Sequence, residues 1–414
     1  MTDESRHDRD EADLAATLLI TLVGRDRPGV TAAMFETLAA SRVEVLDIEQ
    51  IVLRGRLVLG ILVTAPRDPR KLSAAVEHTA AALDMETEIA TGEGDNRPRR
   101  GGRAHVTVLG RPLLPAAVAA ITGRIADTGA NIDRIVRMAR YPVTAIEFDV
   151  SGTQIGRLRE VLATEAARQS VDVAVQSIGL LRHGRRLVVM DVDSTLVQGE
   201  IVDMLAEKAG VADEVSAVTE QAMQGELDFE ESLRRRVALL EGLPVAAVDE
   251  VYDVMVLAPG ARTLVRTLKR LGYRFGIVSG GFSRLTDRLA EDLDIDYTRA
   301  NELEVVDGRI TGRLVGQVVD RAAKAQALMD FAADSKVTLD RTVAIGDGAN
   351  DIDMLSVAGL GIAFNAKPVV QEQAHAAVNV PYLDAILYLL GISREDIEAA
   401  DAEHGITTPH PAVP

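Results

Sequence analysis

Leu187-Val188-Val189-Met190, running into Asp191-Val192-Asp193-Ser194-Thr195, decides how this sequence is read. The first four residues are apolar, and the basic cluster Arg182 to Arg186 bounds them upstream. A short apolar run with such a boundary reads as a buried parallel strand. Two carboxylates, Asp191 and Asp193, then stand where the strand opens into a loop. In an open α/β sheet the carboxyl end of a strand is where ligands bind. Paired carboxylates there can hold a hard cation through oxygen. One can also act as a nucleophile while the other moves a proton.

Three later stretches add to this, two of them strands that open into polar loops. Tyr273 to Val278 reads as a strand and runs into Ser279-Gly280-Gly281. A hydroxyl beside two glycines exposes backbone N–H groups that suit a phosphate. Lys324 opens a helix-like run and can place a point charge on phosphate oxygens. Thr342-Val343-Ala344-Ile345 reads as another buried strand and opens into Gly346-Asp347-Gly348-Ala349-Asn350-Asp351, which adds carboxylates beside glycines.

In this order the four motifs, Asp-x-Asp-x-Thr, Ser-Gly-Gly, Lys and Gly-Asp-Gly-x-Asn-Asp, resemble the haloacid dehalogenase superfamily of aspartate-nucleophile phosphatases. The finer match, Asp191 through Glu200, resembles its phosphoserine phosphatase branch. The resemblance implies a Rossmann-like core with a small helical cap. It implies Mg²⁺ held by the Asp191 carboxylate, the Asp193 main-chain carbonyl and Asp347, with Asp351 orienting Lys324 or a metal-bound water. Asp191 would be the nucleophile and Asp193 the general acid and base. Ser279, Gly280 and Lys324 would hold the phosphoryl oxygens, and Asn350 would contact the phosphate or ligand. The implied substrate is O-phospho-L-serine and the implied reaction the last step of serine biosynthesis. Glu200 would then take the ammonium and Arg236 the carboxylate. Met223 and Phe229 would be apolar lid residues, and Gly281 would leave room for the ligand.

Arg236 is also singled out by spacing. Phe229, Leu233, Arg236, Val237 and Leu240 share one helical face. Of the run Arg234-Arg235-Arg236, only Arg236 lies beside that stripe, where a guanidinium can clamp a carboxylate. Four helical patterns between about 199 and 257 form the expected cap, placed after the first strand as lids often are.

Composition sets bounds. The 414 residues allow two or three domains, and 47% hydrophobic with 26% charged residues is globular. A net charge of −18 and 3% aromatic residues argue against nucleic acid as a partner. No apolar run approaches the ~20 residues of a membrane span. Cysteine is absent and Met1 to Asp13 has no apolar core, which fits a cytoplasmic chain.

The first half repeats itself. Leu18 to Val23, Val43 to Leu53, Leu57 to Thr64 and Glu86 to Ala90 read as strands, with helices over Ala32 to Ala40 and Leu72 to Leu83: the order βαββαβ. The order restarts at His105. Gly24 and Gly110, and likewise Asp47 and Asp133, lie 86 residues apart. Gly24-Arg25-Asp26-Arg27-Pro28-Gly29-Val30 resembles the ACT domain, a small-molecule-sensing module of ferredoxin-like fold. That resemblance implies an amino-acid effector at Gly24, Asp26 and Gly29, and at Gly110 and Asn131 of the second copy. Pro112 and Pro115 replace the equivalents of Asp26 and Gly29 there. Exposed sheet edges in such modules favour a homodimer.

The expected architecture is α/β: two βαββαβ modules, then a Rossmann-like core with a helical cap. The expected bounds are a disordered start over 1–13, a module over 14–92, a linker over 93–103, and a module over 104–180. The phosphatase domain follows over 185–400, and a mobile tail over 401–414. Two other readings stay open. One is a phosphatase or phosphotransferase for another small phosphomonoester or for protein phosphoserine. The other is a non-catalytic amino-acid-sensing regulator.

Overall fold

A computed structural model describes residues 16–93, 102–179, 182, 184, 186–224 and 226–409, the side chain of Met223 excepted. The expected disordered start, most of the linker and the last five residues lie outside the described residues. The chain divides into two units, one ending at Arg99 and one beginning at Arg100.

Unit one contains β1 (Ala16–Arg25), β2 (Val45–Leu53), β3 (Arg56–Thr64) and β4 (Met85–Glu93), with helices Val30–Ala39 and Pro69–Ala82. The strands form an antiparallel sheet in the order β2-β3-β1-β4. Strand alternation sends Leu18, Ile20 and Leu22 to one face. There they meet Val30, Met34 and Leu38 of one helix and Leu72, Val76 and Ala80 of the other. This is the βαββαβ module that the sequence pattern predicts.

Unit two opens with a second module: β5 (Ala104–Gly110), β6 (Asn131–Ala139), β7 (Thr144–Ser151) and β8 (Asp172–Ser177), with helices Pro115–Asp127 and Ile155–Gln169. Its order, β8-β5-β7-β6, reproduces β4-β1-β3-β2. Then come β9 (Leu187–Met190), β10 (Arg274–Phe282), β11 (Tyr297–Val306), β12 (Arg309–Val315), β13 (Thr342–Gly346), β14 (Leu360–Phe364) and β15 (Ala376–Val378). Among themselves these strands pair in parallel except β12, and β9 lies between β10 and β13. Leu187, Val188, Val189 and Met190 are fully buried, as the apolar run requires.

The second module does not stand apart from the strands that follow it. The two share one eleven-stranded sheet through the antiparallel bridge Ala174–Ala376. Asp172 accepts hydrogen bonds from the Asn379 backbone and amide, each at 2.7 Å. Buried Arg182 pairs with Glu147 of β7 and donates to the Leu389 carbonyl. A paired and hydrogen-bonded buried charge of this kind fixes geometry across a seam.

The cap inserts between β9 and helix Ala261–Arg270 as helices Ile201–Ala209, Ala212–Met223, Phe229–Ala238 and Ala246–Val254. The neck is closed by a Val197–Leu257 bridge, and the far end is stitched to β12 by Gly242 and Leu243 on Ile310.

The chain does not come loose at Asp401. Helix Arg394–Glu403 carries Asp401, which is fully buried and accepts from Arg266 (2.7 and 2.9 Å), Arg270 (2.6 Å) and Thr408 (2.8 Å). Burial alone would raise this carboxyl, but Arg266, Thr408 and Arg270 together bring it from 3.8 down to about 2. A depressed acid contributes stability above its unfolded pKa and loses it as pH falls through the folded one. That shift corresponds to about 2 kcal/mol at neutral pH. Asp401→Ala is expected to lower the melting temperature of unit two at pH 7. The difference from the unaltered chain should shrink as pH falls toward about 2. A thermal melt series across that range checks it.

Candidate active site

The site forms where β9, β10, β13 and β14 end on the same edge of the sheet. Asp191 extends β9 by one residue, its N–H bonding Ile345 O at 2.9 Å. Its side chain is 5% exposed, accepts from Val192 N–H and takes Lys324 Nζ at 2.7 Å. Lys324 is itself fully buried and reaches Asp351 at 2.8 Å. Burial would strip the Lys324 proton, but Asp191 and Asp351 more than offset that and hold it charged. Asp191 is pushed up by burial and by Asp351, and pulled back by Lys324.

After Asp191 the chain makes one wide turn, with Val197 N–H returning to Val192 O. Ser194 takes φ 56° there, a left-handed conformation costly for a non-glycine residue. Its hydroxyl donates to Glu200 (3.1 Å) and that of Thr195 to Asp347 (2.7 Å). The turn throws Asp193 across the site. One of its oxygens accepts from Ile201 N–H (2.8 Å), the other from the Ser279 hydroxyl (2.9 Å). Burial pushes Asp193 up against the pull of those two donors. Ser279 also accepts from Gly281 N–H at 2.7 Å. A side chain at Gly281 would meet Ser279 Oγ at 2.9 Å and Asp193 at 3.1 Å, so the close approach requires glycine.

The β13 loop brings the other carboxylates. Burial is the main reason that Asp347 is raised to about 6, with Asp351 adding repulsion and the Thr195 hydroxyl pulling down. Asp351 accepts from Lys324 and from Gly348 N–H (2.9 Å). A Cβ on Gly346 would lie 2.4 Å from the Asp351 side chain. Carboxylate oxygens of Asp191, Asp347 and Asp351 lie within 4.8 Å of one another. Like charges this close, compensated by one lysine, fit a hard divalent cation.

A cavity of about 590 Å³ opens over these groups. Asp191, Asp193, Glu200, Phe229, Arg236, Gly280, Gly281, Asp347 and Asn350 all line it. Ser279, Lys324 and Asp351 lie fully buried just behind. Met223 ends a cap helix beside the lining residues Thr219 and Ala222, but its side chain is outside those described. Phe229 approaches Gly280 so closely that a Cβ there would be 3.1 Å from its ring. Arg234 and Arg235 are spent on Glu230 and Glu231 at i, i+4 spacing. Arg236 faces the cavity, and its Nε is buried without a hydrogen-bond partner among the described residues. Glu200 keeps an exposed edge. Crowding by protein atoms, then the Asp193 charge, nevertheless push it up to about 7.

Family models match three stretches: an ACT domain over residues 16–90, a second over 103–176, and a haloacid dehalogenase-like hydrolase over 188–356. Over 389 residues the chain is 60% identical to the phosphoserine phosphatase of Streptomyces coelicolor, covering 93% of this chain and 94% of that protein. The chain belongs to the phosphoserine phosphatase family. The phosphoserine phosphatase of Mycobacterium tuberculosis is 51% identical, with 93% and 96% covered. The crystal structure of a "probable phosphoserine phosphatase" from Vibrio cholerae, in unliganded form, superposes with a TM-score of 0.57 at 35% identity. It covers 72% of this chain and 88% of that one.

Sequence reasoning overlooked several groups in this phosphoserine phosphatase pocket. Asn365 and Lys367, past the end of β14, line the mouth, and Asn365 is left-handed at φ 47°. Only their place after a buried strand could have flagged them.

The ACT loops are more self-contained. Gly29, at φ 95°, caps helix Val30–Ala39, and Asp26 N–H bonds Gly55 O. Gly24 lies so close to Met85 that a Cβ would reach 2.3 Å from its sulfur. In the second copy Gly110 packs on Leu113 in the same way. Asn131 there turns its amide to Asp133 at 2.8 Å.

Proposed function

We propose that the chain hydrolyses O-phospho-L-serine to L-serine and phosphate through an aspartyl-phosphate, with Mg²⁺. The observation that carries the substrate is Arg236. It is a half-buried guanidinium whose buried Nε has no hydrogen-bond partner among the described residues, facing a cavity floored by Asp191 and bordered by Glu200. A ligand with phosphate at one end and an amino acid at the other satisfies both ends. Its carboxylate pairs with Arg236, its ammonium with Glu200, and its phosphate with the N–H and hydroxyl groups near Ser279.

The chain's own residues account for the chemistry. Lys324 neutralises charge beside Asp191, so that a carboxylate can approach a dianionic phosphoryl group. Asp191 attacks phosphorus, the P–O bond to serine breaks, and the phosphoryl group moves to the Asp191 oxygen. Asp193 donates its proton to the departing serine oxygen, since burial raises its pKa and favours the acid form. It then takes a proton from the water that cleaves the acyl phosphate. Asp191, Asp347 and the Asp193 carbonyl would hold Mg²⁺, with Asp351 fixing Lys324 behind. When bound, the cation supplies positive charge to phosphoryl oxygens.

The test is phosphate release from O-phospho-L-serine with Mg²⁺, beside phosphoethanolamine, which lacks the carboxylate, and a phosphoserine peptide. Release is expected to be fastest from phosphoserine, about 10²-fold slower in kcat/KM from phosphoethanolamine and negligible from the peptide, and EDTA should stop it. Arg236→Ala should cost about 10²-fold in kcat/KM for phosphoserine. It should leave phosphoethanolamine nearly unchanged. Equal losses on both would overturn the assignment of Arg236.

A further inference from the structure

We infer that Asn301 is a positioning residue that ties the two phosphate-holding elements of the site together. Asn301 lies on β11 and is 2% exposed. A buried amide is costly unless both of its ends are bonded. Here both are. Nδ2 donates to the Gly280 carbonyl at 2.8 Å. Oδ1 accepts from the Val319 N–H at 2.8 Å.

Each partner leads to a group proposed to hold phosphate. The Gly280 carbonyl and the Gly281 N–H belong to one planar peptide and point in opposite directions. Holding the carbonyl therefore aims the N–H, which donates to Ser279 Oγ at 2.7 Å. With that hydroxyl oxygen fixed, its proton goes to Asp193 at 2.9 Å. The pairing of β10 with β11 shifts register between Val278 and Phe282, so the Ser279-Gly280-Gly281 peptides leave the regular ladder. Asn301 supplies a bond that the ladder no longer gives.

On the other side, Val319 immediately precedes Asp320, whose side chain caps helix Arg321–Asp334 by accepting Ala323 N–H at 2.8 Å. Lys324 sits in the first turn of that helix, its N–H on the Asp320 carbonyl at 2.9 Å. One side chain thus sets the spacing between the Ser279 loop and the Lys324 helix. A phosphoryl group held by both needs that spacing within a fraction of an ångström.

The assignment rests on the phosphatase reading, and the experiment separates the two. Asn301→Asp keeps the acceptor for Val319 but sets an oxygen against the Gly280 carbonyl. Asn301→Ala removes both bonds, and Asn301→Ser is the milder variant should either fail to fold. Turnover of phosphoserine and competitive inhibition by inorganic phosphate are measured on the full chain with Mg²⁺. In the folded variants the phosphate inhibition constant is expected to rise about tenfold. kcat should fall by about 10²-fold. The preference for phosphoserine over phosphoethanolamine should stay as it was, because Arg236 and Glu200 do not touch this link. A phosphate inhibition constant within about twofold of the unaltered chain overturns the assignment, whatever kcat does, because fewer folded molecules lower turnover without weakening phosphate. If the unaltered chain neither turns over phosphoserine nor binds phosphate, the phosphatase reading fails instead.

Discussion

Asp191→Asn is expected to remove phosphate release from O-phospho-L-serine, by about 10⁴-fold or more in kcat. Asparagine matches aspartate in shape, and its amide oxygen can still accept the Val192 N–H that Asp191 Oδ1 accepts at 2.7 Å. The turn that carries Asp193 should therefore survive. What goes is the proposed nucleophile, one of the two carboxylates beside Lys324. The lysine keeps its bond to Asp351 at 2.8 Å, so the buried charge is not orphaned and the fold should hold. Rapid quench with labelled phosphoserine gives a second readout, with acid-stable label on the unaltered chain and none on the variant. Activity within tenfold of the unaltered chain would place the nucleophile elsewhere.

Lys324→Met is expected to damage both turnover and stability. The side chain is fully buried between Asp191 and Asp351, with Asp347 nearby. Methionine fills similar space without charge, leaving carboxylates that already crowd one another. Breaking a buried pair by removing one partner costs about 3–5 kcal/mol. The sign with pH follows from the acids. Asp347 is already raised to about 6 and Asp191 is raised too, and both should go higher without the lysine. Acids raised in the folded state stabilise it at low pH, and that contribution is lost as pH rises through the folded value. The stability gap between variant and unaltered chain should therefore be widest near pH 8 and narrow toward pH 5. Turnover should fall about 10³-fold, since phosphoryl charge would meet uncompensated carboxylates. A gap that is flat across this range would mean that Lys324 does not set the charge balance.

The parts of this protein that were legible in its sequence are those whose signals are local. An apolar run ending in Asp191 and Asp193 announces a buried strand and its loop within nine residues. Arg236 could be picked from three adjacent arginines because a helix writes its buried face at 3.6-residue intervals. The βαββαβ order showed in alternation and turns, and it repeated. Asn301 had no such signal: its partners Gly280 and Val319 are 21 and 18 residues away, and nothing around it is periodic. Asp401 looked like part of a polar tail because the arginines that bury it lie 131 and 135 residues upstream. The second module joins the hydrolase sheet through the pairing of Ala174 with Ala376 and the bonds of Asp172 to Asn379, between segments that are distant in the chain and each read as complete.

That shared sheet limits how the chain can be divided. Its two βαββαβ copies invite removal together, leaving a phosphatase that begins near Arg186. A cut there would bare the edge of β15, free the Asn379 amide that Asp172 holds, and discard both Arg182 and its partner Glu147. A cut ahead of Arg103 leaves all of these in place. The smallest piece that keeps this sheet and its links whole therefore spans the second module and the hydrolase together.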